Sequence, residues 1–264
     1  MENSLVFHGE QIVVFDPRWT RQAVGAGLGA YASIIGYDGP VLSETITTRV
    51  YHLNPNPEIW PGGVYLKKFI YTSWARFFLR PAKAYLEVRN YRFLQKLNLN
   101  VPQVLAAGQR RKFGGLVDAF ILTAGIENAL SLEDYFRSKQ QPEEIIEILD
   151  KMAQIVGIMH RANFFHIDLQ WRNILIQRNN SNGQSPIKVF LIDCPRGGRR
   201  WFFLRSWNGR MHDLAGLDKL AGLYLTPKER LKWFKQYAGI EKLGWLDHLL
   251  IKRIVREIES RRRT

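Results

Sequence analysis

The sequence predicts an α+β fold of two lobes, a small β-rich N-lobe and a mainly helical C-lobe. Two observations carry this. Strand-like runs with one helix fill the first half, and helical periodicity dominates the second, with the change near residues 124–128. The expected organisation is an N-terminal helical extension over 1–38, an N-lobe over 39–126 and a C-lobe over 127–264.

Residues 18–35 read as one or two short helices in spite of their glycines. GAGLGA in this stretch invites a phosphate-loop reading. It follows no strand and lacks the third-glycine spacing, so a plain turn is the better reading. VLSETITTRVYHL from residue 41 is rich in β-branched residues, NPNPEIWPGG is a turn-laden insertion, and VYLKKFIY is a further strand. PAKAYLEVRNYRFLQKL predicts a helix over 81–97, with Pro81 suited to its first turn. Two more strand-like stretches follow, ending in DAFILTAG. PEEIIEILDKMAQIVGIMHRA then predicts a long helix over 142–162, with an apolar stripe at 145, 148/149, 152, 155/156 and 159.

Apolar residues make up 46% of the chain, enough for a globular core. Lys and Arg number 38 against 24 acidic residues, a formal charge of +14. Such a surplus favours anionic partners: nucleotide phosphates, nucleic acid, phosphorylated sugars or an anionic membrane. The single cysteine, Cys194, excludes an intrachain disulfide and a multi-cysteine metal site, which suits a reducing cytosol. No stretch reads as a secretory signal or a bilayer span.

The chemistry gathers at HIDLQWRNILI, residues 166–176, and VFLIDC, residues 189–194. NILIQR and IKVFLID are apolar strands separated by the turn-rich NNSNGQSP, a β-hairpin pattern. Antiparallel pairing sets the start of the first strand beside the end of the second. Asn173 therefore neighbours Asp193, with Asp168 shortly before. Three oxygen-bearing side chains at one hairpin end suit a hard cation such as Mg²⁺, which completes its shell with water and phosphate. A polar hairpin mouth on a surface fits the same three residues.

MHRANFFHIDLQWRN resembles the catalytic loop of protein-kinase-like enzymes, whose H-R-D-L-x-x-x-N has this Asp-to-Asn spacing. IDC stands where those enzymes carry D-F-G. VYLK at 64–67 resembles V-A-I-K, and Glu87 resembles the ion-pair partner of its lysine. Ala84, Glu87, Tyr91 and Leu94 share one helix face, so a carboxylate interrupts an apolar stripe and needs a cationic partner. Lys67 and Lys68 compete for that role, and the V-A-I-K pattern favours Lys67. The closer resemblance is to the bacterial lipopolysaccharide kinase family, the inner-core heptose and Kdo kinases. It is carried by Asn-Ile-Leu after the catalytic Asp, by IDxxR from Asp193 to Arg196 and by HDLAGL at 212–217, and spans residues 39 to about 237.

The resemblance implies a two-lobed protein-kinase-like fold and an ATP- and Mg²⁺-dependent phosphotransferase. In it Asp168 receives the proton of the acceptor hydroxyl, and Asn173 and Asp193 bind Mg²⁺. Lys67, oriented by Glu87, holds the α/β-phosphates, and Asp213 buttresses the catalytic loop. His166 supports that loop structurally. Thr123, Gly125 and Ile126 face adenine with Leu175 beneath the ring. The chain departs from the pattern in places. GYDGPVLSE offers only Gly36 and Gly39 as a glycine-rich loop, Pro195 stands near the missing D-F-G glycine, and Gln170 replaces a γ-phosphate lysine, for which Arg172 compensates.

A negatively charged glycolipid core, heptose or Kdo, is the acceptor that suits the charge. A protein kinase would need a peptide platform, and no A-P-E motif follows Asp193. Cationic aminoglycosides would be repelled by this charge. A non-enzymatic nucleic-acid module leaves the kinase-like motifs unexplained, so no nucleic acid is expected. KKFIYTSWARFFLRPAK and RGGRRWFFLRSWNGR interleave basic residues with aromatics, a pattern that suits an anionic membrane interface; for the first segment, aromatics packed in the core with solvated arginines fit equally well. In the second, Arg196, Arg199, Arg200 and Trp201 are expected to contact acceptor or membrane. The expectation is a monomer, peripheral on the cytoplasmic face of the inner membrane.

Overall fold

The computed structural model describes residues 7–73, 75–138, 142–178 and 187–262. The chain forms two units. One runs through Arg92 and includes Pro102–Glu127; the other comprises Phe93–Val101 and everything from Asn128 on.

The first unit is built on a six-stranded antiparallel sheet. Its strands are β1 (Gly9–Val14), β2 (Val41–Thr45), β3 (Thr48–Leu53), β4 (Val64–Ile70), β5 (Val104–Lys112) and β6 (Gly115–Ala124). Their order is β1-β5-β6-β4-β3-β2. The expected N-terminal extension is corrected here. GEQIVV is an edge strand of this sheet, running from Gly9↔Arg111 to Val14↔Ala106 along β5. Residues 9–14 alternate between partly buried and exposed, so the strand carries only a weak apolar signal.

Helices α1 (Pro17–Gly25) and α2 (Tyr31–Gly36) follow. Asp16 caps α1 by accepting from the backbone N–H of Arg18 at 2.9 Å, and Pro17 sits at its first position, where its missing N–H costs nothing. GAGLGA is the reversal between these helices; Gly27 takes φ +70° and Leu28 is buried. Trp19, Tyr31 and Ile34 pack with Trp60, Leu66, Leu105 and Phe120 into one core. The 54–63 insertion thus contributes its tryptophan to that core.

Helix α3 spans Lys83–Lys96, two residues later than Pro81 suggested. Ala82 O accepts the first helical bond, from Leu86 N at 3.0 Å. The free N–H of Lys83 is satisfied by the Tyr71 hydroxyl at 2.8 Å, a tertiary cap that local sequence does not reveal.

In the second unit, β7 (Ala129–Ser131), β9 (Ile174–Gln177) and β10 (Lys188–Leu191) form one small sheet. Strands β8 (Phe164–Phe165) and β11 (Gly198–Arg199) form another. Around them lie α4 (Leu132–Arg137), α5 (Pro142–Arg161), α6 (Phe203–Tyr224), α7 (Pro227–Ala238) and α8 (Trp245–Arg262). The stripe of α5 is buried at Ile148, Met152, Val156 and Met159. A capping box between Thr226 and Glu229 opens α7, and Gly239 at φ +69° closes it. The expected hairpin is present: β9 and β10 are antiparallel, with Ile174 opposite Leu191. Its connecting NNSNGQSP segment lies outside the described residues.

Candidate active site

Adjacent strand residues point to opposite faces of a sheet, and β4 uses this to separate its two lysines. Lys67 Nζ donates to Glu87 Oε2 at 3.2 Å, and the Tyr91 hydroxyl donates to Oε1 at 2.9 Å. Glu87 is nearly fully buried, and the Lys67 ammonium and the Tyr91 phenol help to hold its charge there. Lys68 instead reaches the carbonyls of Ile35, at 2.7 Å, and Tyr37, and lies over the Tyr51 ring. Burial pushes the Lys68 ammonium below the ordinary lysine range. The two candidates are thereby distinguished: Lys67 meets α3, and Lys68 ties down the end of α2.

Gly39 does not lie in a hairpin turn. It precedes β2, and a Cβ there would run into the Tyr37 ring. The β2–β3 turn is Thr45-Ile46-Thr47-Thr48, with Ile46 91% exposed and no glycine. Thr123 belongs to β6, opposite Tyr65. Gly125 N donates to Gly63 O at 2.8 Å. A Cβ on Gly125 would stand 1.9 Å from Gly62 O, so glycine is required by this backbone contact. Its N–H is therefore already committed within the unit.

In the second unit the loop after β8 is held from α6. Asp213, fully buried, accepts from Ile167 N at 2.6 Å through Oδ1 and from His166 N at 2.8 Å through Oδ2. His160 Nε2 also meets Oδ2, at 3.1 Å, while its Nδ1 lies 2.8 Å from the Tyr237 hydroxyl. Burial pushes His160 below the ordinary imidazole range despite the carboxylate. A neutral ring beside an acceptor-only carboxylate must donate from Nε2 and accept from Tyr237 at Nδ1. His166 Nε2 likewise donates to Ile192 O at 3.0 Å, leaving its buried Nδ1 without a partner among the described residues.

This clamp holds unusual backbone. Ile167 has φ +70° and Asp193 φ +56°, left-handed values that cost a β-branched residue about 1–3 kcal/mol. Gly216 on α6 completes the fit, since a Cβ there would come within 2.5 Å of Leu169 O. HDLAGL therefore supplies a carboxylate for the loop and, three residues on, the bare backbone against which the loop packs.

Asn173 lies in a 3₁₀ turn (Trp171–Asn173) directly before β9. Its Nδ2 donates to Asp168 O at 2.9 Å, and its own carbonyl accepts from Ile192 N at 3.0 Å, next to Asp193. The side chain is thus oriented with Oδ1 unpartnered among the described residues. Gln170 Nε2 donates to Asp168 Oδ1 at 2.5 Å, an orienting contact that its neutral amide gave no reason to expect. Arg172 is exposed, and Leu175 is half-buried on β9. Among the described residues no cluster of three or more His, Cys, Asp or Glu side chains is poised for a metal. A donor set of one amide oxygen and a neighbouring carboxylate fits Mg²⁺, which binds through few protein oxygens when phosphate supplies the rest.

Downstream of Asp193, Arg196 is exposed and Arg199 lies on β11, its guanidinium 4.0 Å from the Trp201 ring centroid and 5.4 Å from that of Phe93. Arg200 N donates to Asn163 O at 2.8 Å. Trp201, Phe202, Phe203 and Leu204 are each at least 66% exposed. In the first basic–aromatic segment, by contrast, Phe69 and Tyr71 are buried while Phe78 and Leu79 are exposed.

A family match described as lipopolysaccharide kinase (Kdo/WaaP) covers residues 49–237, which include Lys67, Glu87, Asp168, Asn173, Asp193 and Asp213. The chain belongs to this lipopolysaccharide kinase family. Among curated proteins, a 3-deoxy-D-manno-octulosonic acid kinase of Haemophilus influenzae (strain 86-028NP) is 28% identical over 123 residues, 46% of this chain and 48% of that protein. The enzyme of the same name from Pasteurella multocida (strain Pm70) is 28% identical over 127 residues, 47% of this chain and 50% of that protein. The matches thus span about half the length of these curated relatives. A solved structure, WaaP in complex with acyl carrier protein, matches with TM-score 0.71 and 20% identity over 95% of this chain and 98% of that one, which establishes the shared protein-kinase-like fold.

Proposed function

We propose that this member of the lipopolysaccharide kinase family is a kinase that transfers the γ-phosphate of ATP to a sugar hydroxyl of the lipopolysaccharide inner core, a heptose or Kdo. The observation that carries the reading is the Asp213 clamp, which fixes the strained Ile167 backbone directly before Asp168. With Gln170 on Oδ1, the Asp168 carboxylate is oriented to accept the proton of an acceptor hydroxyl as that oxygen attacks. Asn173 and Asp193 would hold Mg²⁺, and Lys67, pinned by Glu87, would hold the α/β-phosphates. Mg²⁺–ATP supplies the phosphoryl group, with its charge partly neutralised. Arg172, unpaired among the described residues, is the cation nearest in sequence to this loop for a transferring phosphate.

The formal charge of +14 suits a phosphorylated, acidic acceptor and disfavours cationic ones. No helix among the described residues is long and apolar enough to cross a membrane. Attachment to an anionic surface through Arg199, Arg200 and Arg205 with the exposed Trp201–Leu204 run is the means we propose for reaching a lipid-anchored sugar. Radiolabelled phosphate transfer from ATP onto inner-core lipopolysaccharide, a peptide mixture and an aminoglycoside, run in parallel, tests the assignment. Label on lipopolysaccharide alone is expected; label on peptide or aminoglycoside alone would replace the proposed acceptor class.

A further inference from the structure

The turn between β5 and β6, with Lys112 paired to Gly115, gathers three segments of the first unit. Gly114 N donates to Phe7 O at 2.7 Å, Leu79 N donates to Gly114 O at 3.0 Å, and Phe78 bridges to Gly115. Arg111, itself buried, fastens them by donating to Gly114 O at 2.8 Å and to Arg80 O at 2.5 Å. Held this way, the tip displays apolar side chains. Phe7, Phe78, Leu79 and Phe113 are each between 41% and 57% exposed. They are contiguous: a Cβ on Gly114 would stand 2.7 Å from the Phe78 ring and 3.1 Å from the Phe7 ring, and the His8 ring lies 5.1 Å from that of Phe113. The backbone does not ask for these residues. Phe113 at φ +47° and Gly114 at φ +79° are the central pair of a two-residue turn, where Asn-Gly or Asp-Gly is the natural choice, and Leu79 also sits at φ +50°. Phe113 therefore gains neither burial nor an easy conformation from its place in the fold.

We propose that this tip is a separate membrane contact on the first unit, its apolar side chains entering the headgroup boundary of an anionic bilayer while Arg76, Arg80 and Lys112 meet lipid phosphates. The charge pattern commits it to that partner. All three cations are exposed, and no acidic residue occurs over 75–83 or 109–117. Of the acids that follow these segments, Asp118 is paired with Arg110, and Glu10 lies opposite Arg110 across β1 and β5. Exposed rings flanked by cations alone complement anionic headgroups over apolar tails. The contact rests on the surface-attachment reading above for the kind of partner and adds a site that reading does not contain.

The reporter is the full chain carrying His8→Cys, labelled with nitrobenzoxadiazole, a fluorophore that brightens and shifts to the blue on leaving water. Cys194, the one native cysteine, is fully buried and should stay unlabelled. Vesicles of equal parts phosphatidylglycerol and phosphatidylcholine should give a saturable blue shift that weakens as salt rises, and phosphatidylcholine alone little. Arg76→Glu with Arg80→Glu should weaken the midpoint at least about tenfold. Phe113→Asn should weaken it about tenfold while leaving the melting temperature unchanged or raised, because Asn suits a positive φ. A label at Trp201→Cys reports the second unit separately. Response at 201 with none at 8 would overturn this contact and leave surface attachment standing, and none at either would overturn both. Phe113→Asn that lowers the melting temperature with binding unchanged would overturn it by assigning the ring to the fold. Vesicle silence together with dimers that Phe113→Asn dissolves would overturn it in favour of a second copy of the chain.

Discussion

Replacing Asp213 by Asn tests the clamp that organises the catalytic loop. The change preserves shape but removes the charge and turns one acceptor oxygen into an N–H₂ donor. Three donors converge on this carboxylate: Ile167 N at 2.6 Å, His166 N at 2.8 Å and His160 Nε2 at 3.1 Å. Hydrogen bonds to a charged group contribute about 1.5–3 kcal/mol against about 1 for neutral ones, and a buried donor left unsatisfied costs about 1–3 kcal/mol. If Oδ1 is retained toward Ile167, the new amide faces His166 N–H, which cannot reverse its role. His160 can adapt by shifting its proton to Nδ1, at the expense of the bond from Tyr237. The expected loss is about 2–5 kcal/mol of unfolding free energy, from weakening hydrogen bonds to a charged acceptor and leaving one buried N–H unsatisfied. Urea denaturation followed by far-UV circular dichroism measures it. A loss under about 1 kcal/mol, with normal phosphate transfer, would show that Asp213 does not hold the loop.

The two lysines of β4 should separate in nucleotide binding. Lys67→Met should abolish the rise in melting temperature given by Mg²⁺–ATP, whereas Lys68→Met should lower the melting temperature and keep the ATP-dependent rise. Stability should also depend on pH through His160. Its folded pKa is depressed below the unfolded value of 6.5, so below that pH the unfolded chain takes up a proton that the folded one refuses. Thermal stability should therefore fall as pH drops through 6.5, and His160→Gln should flatten that slope; an equal slope in both would exclude His160 as its source. At the surface, co-sedimentation with anionic vesicles should be strong at low salt, decline as salt rises, and be reduced by charge reversal at Arg199 and Arg200. Equal binding to neutral and anionic vesicles, or none to either, would leave those arginines as contacts to acceptor phosphates.

The catalytic loop and the hairpin were legible because their signals are local. The alternation of β9 and β10 predicts the antiparallel pair, and the observed register, with Ile174 opposite Leu191, brings the chain at Asn173 beside Ile192 and Asp193. Glu87 was legible for a related reason, as a carboxylate on an otherwise apolar helix face. Between Lys67 and Lys68 only the V-A-I-K pattern favoured Lys67, which does meet Glu87; burial could not separate them, because both lysines find acceptors. The acceptors of Lys68 lie on and just after α2, in a segment that reads as lying outside the lobe. Strand β1 was missed for the same reason: as an edge strand it lacks a continuous apolar face. The positive φ values of Ile167 and Asp193 leave no trace in composition, since neither is glycine. Gly216 could have been suspected as a glycine inside a helix, where it costs about 1 kcal/mol relative to alanine unless another backbone needs the room.

Phosphorylation of an inner-core sugar is tested most directly by mass spectrometry of the acceptor. The full chain would be incubated with ATP, Mg²⁺ and lipopolysaccharide truncated to its Kdo–heptose region, with Asp168→Asn in parallel. The parent should add a single phosphate to a Kdo or heptose, and the variant should do so about 10²–10⁴-fold more slowly while still binding Mg²⁺–ATP. Acceptor that stays unmodified while ATP is consumed, or equal phosphate addition by both proteins, would contradict the account.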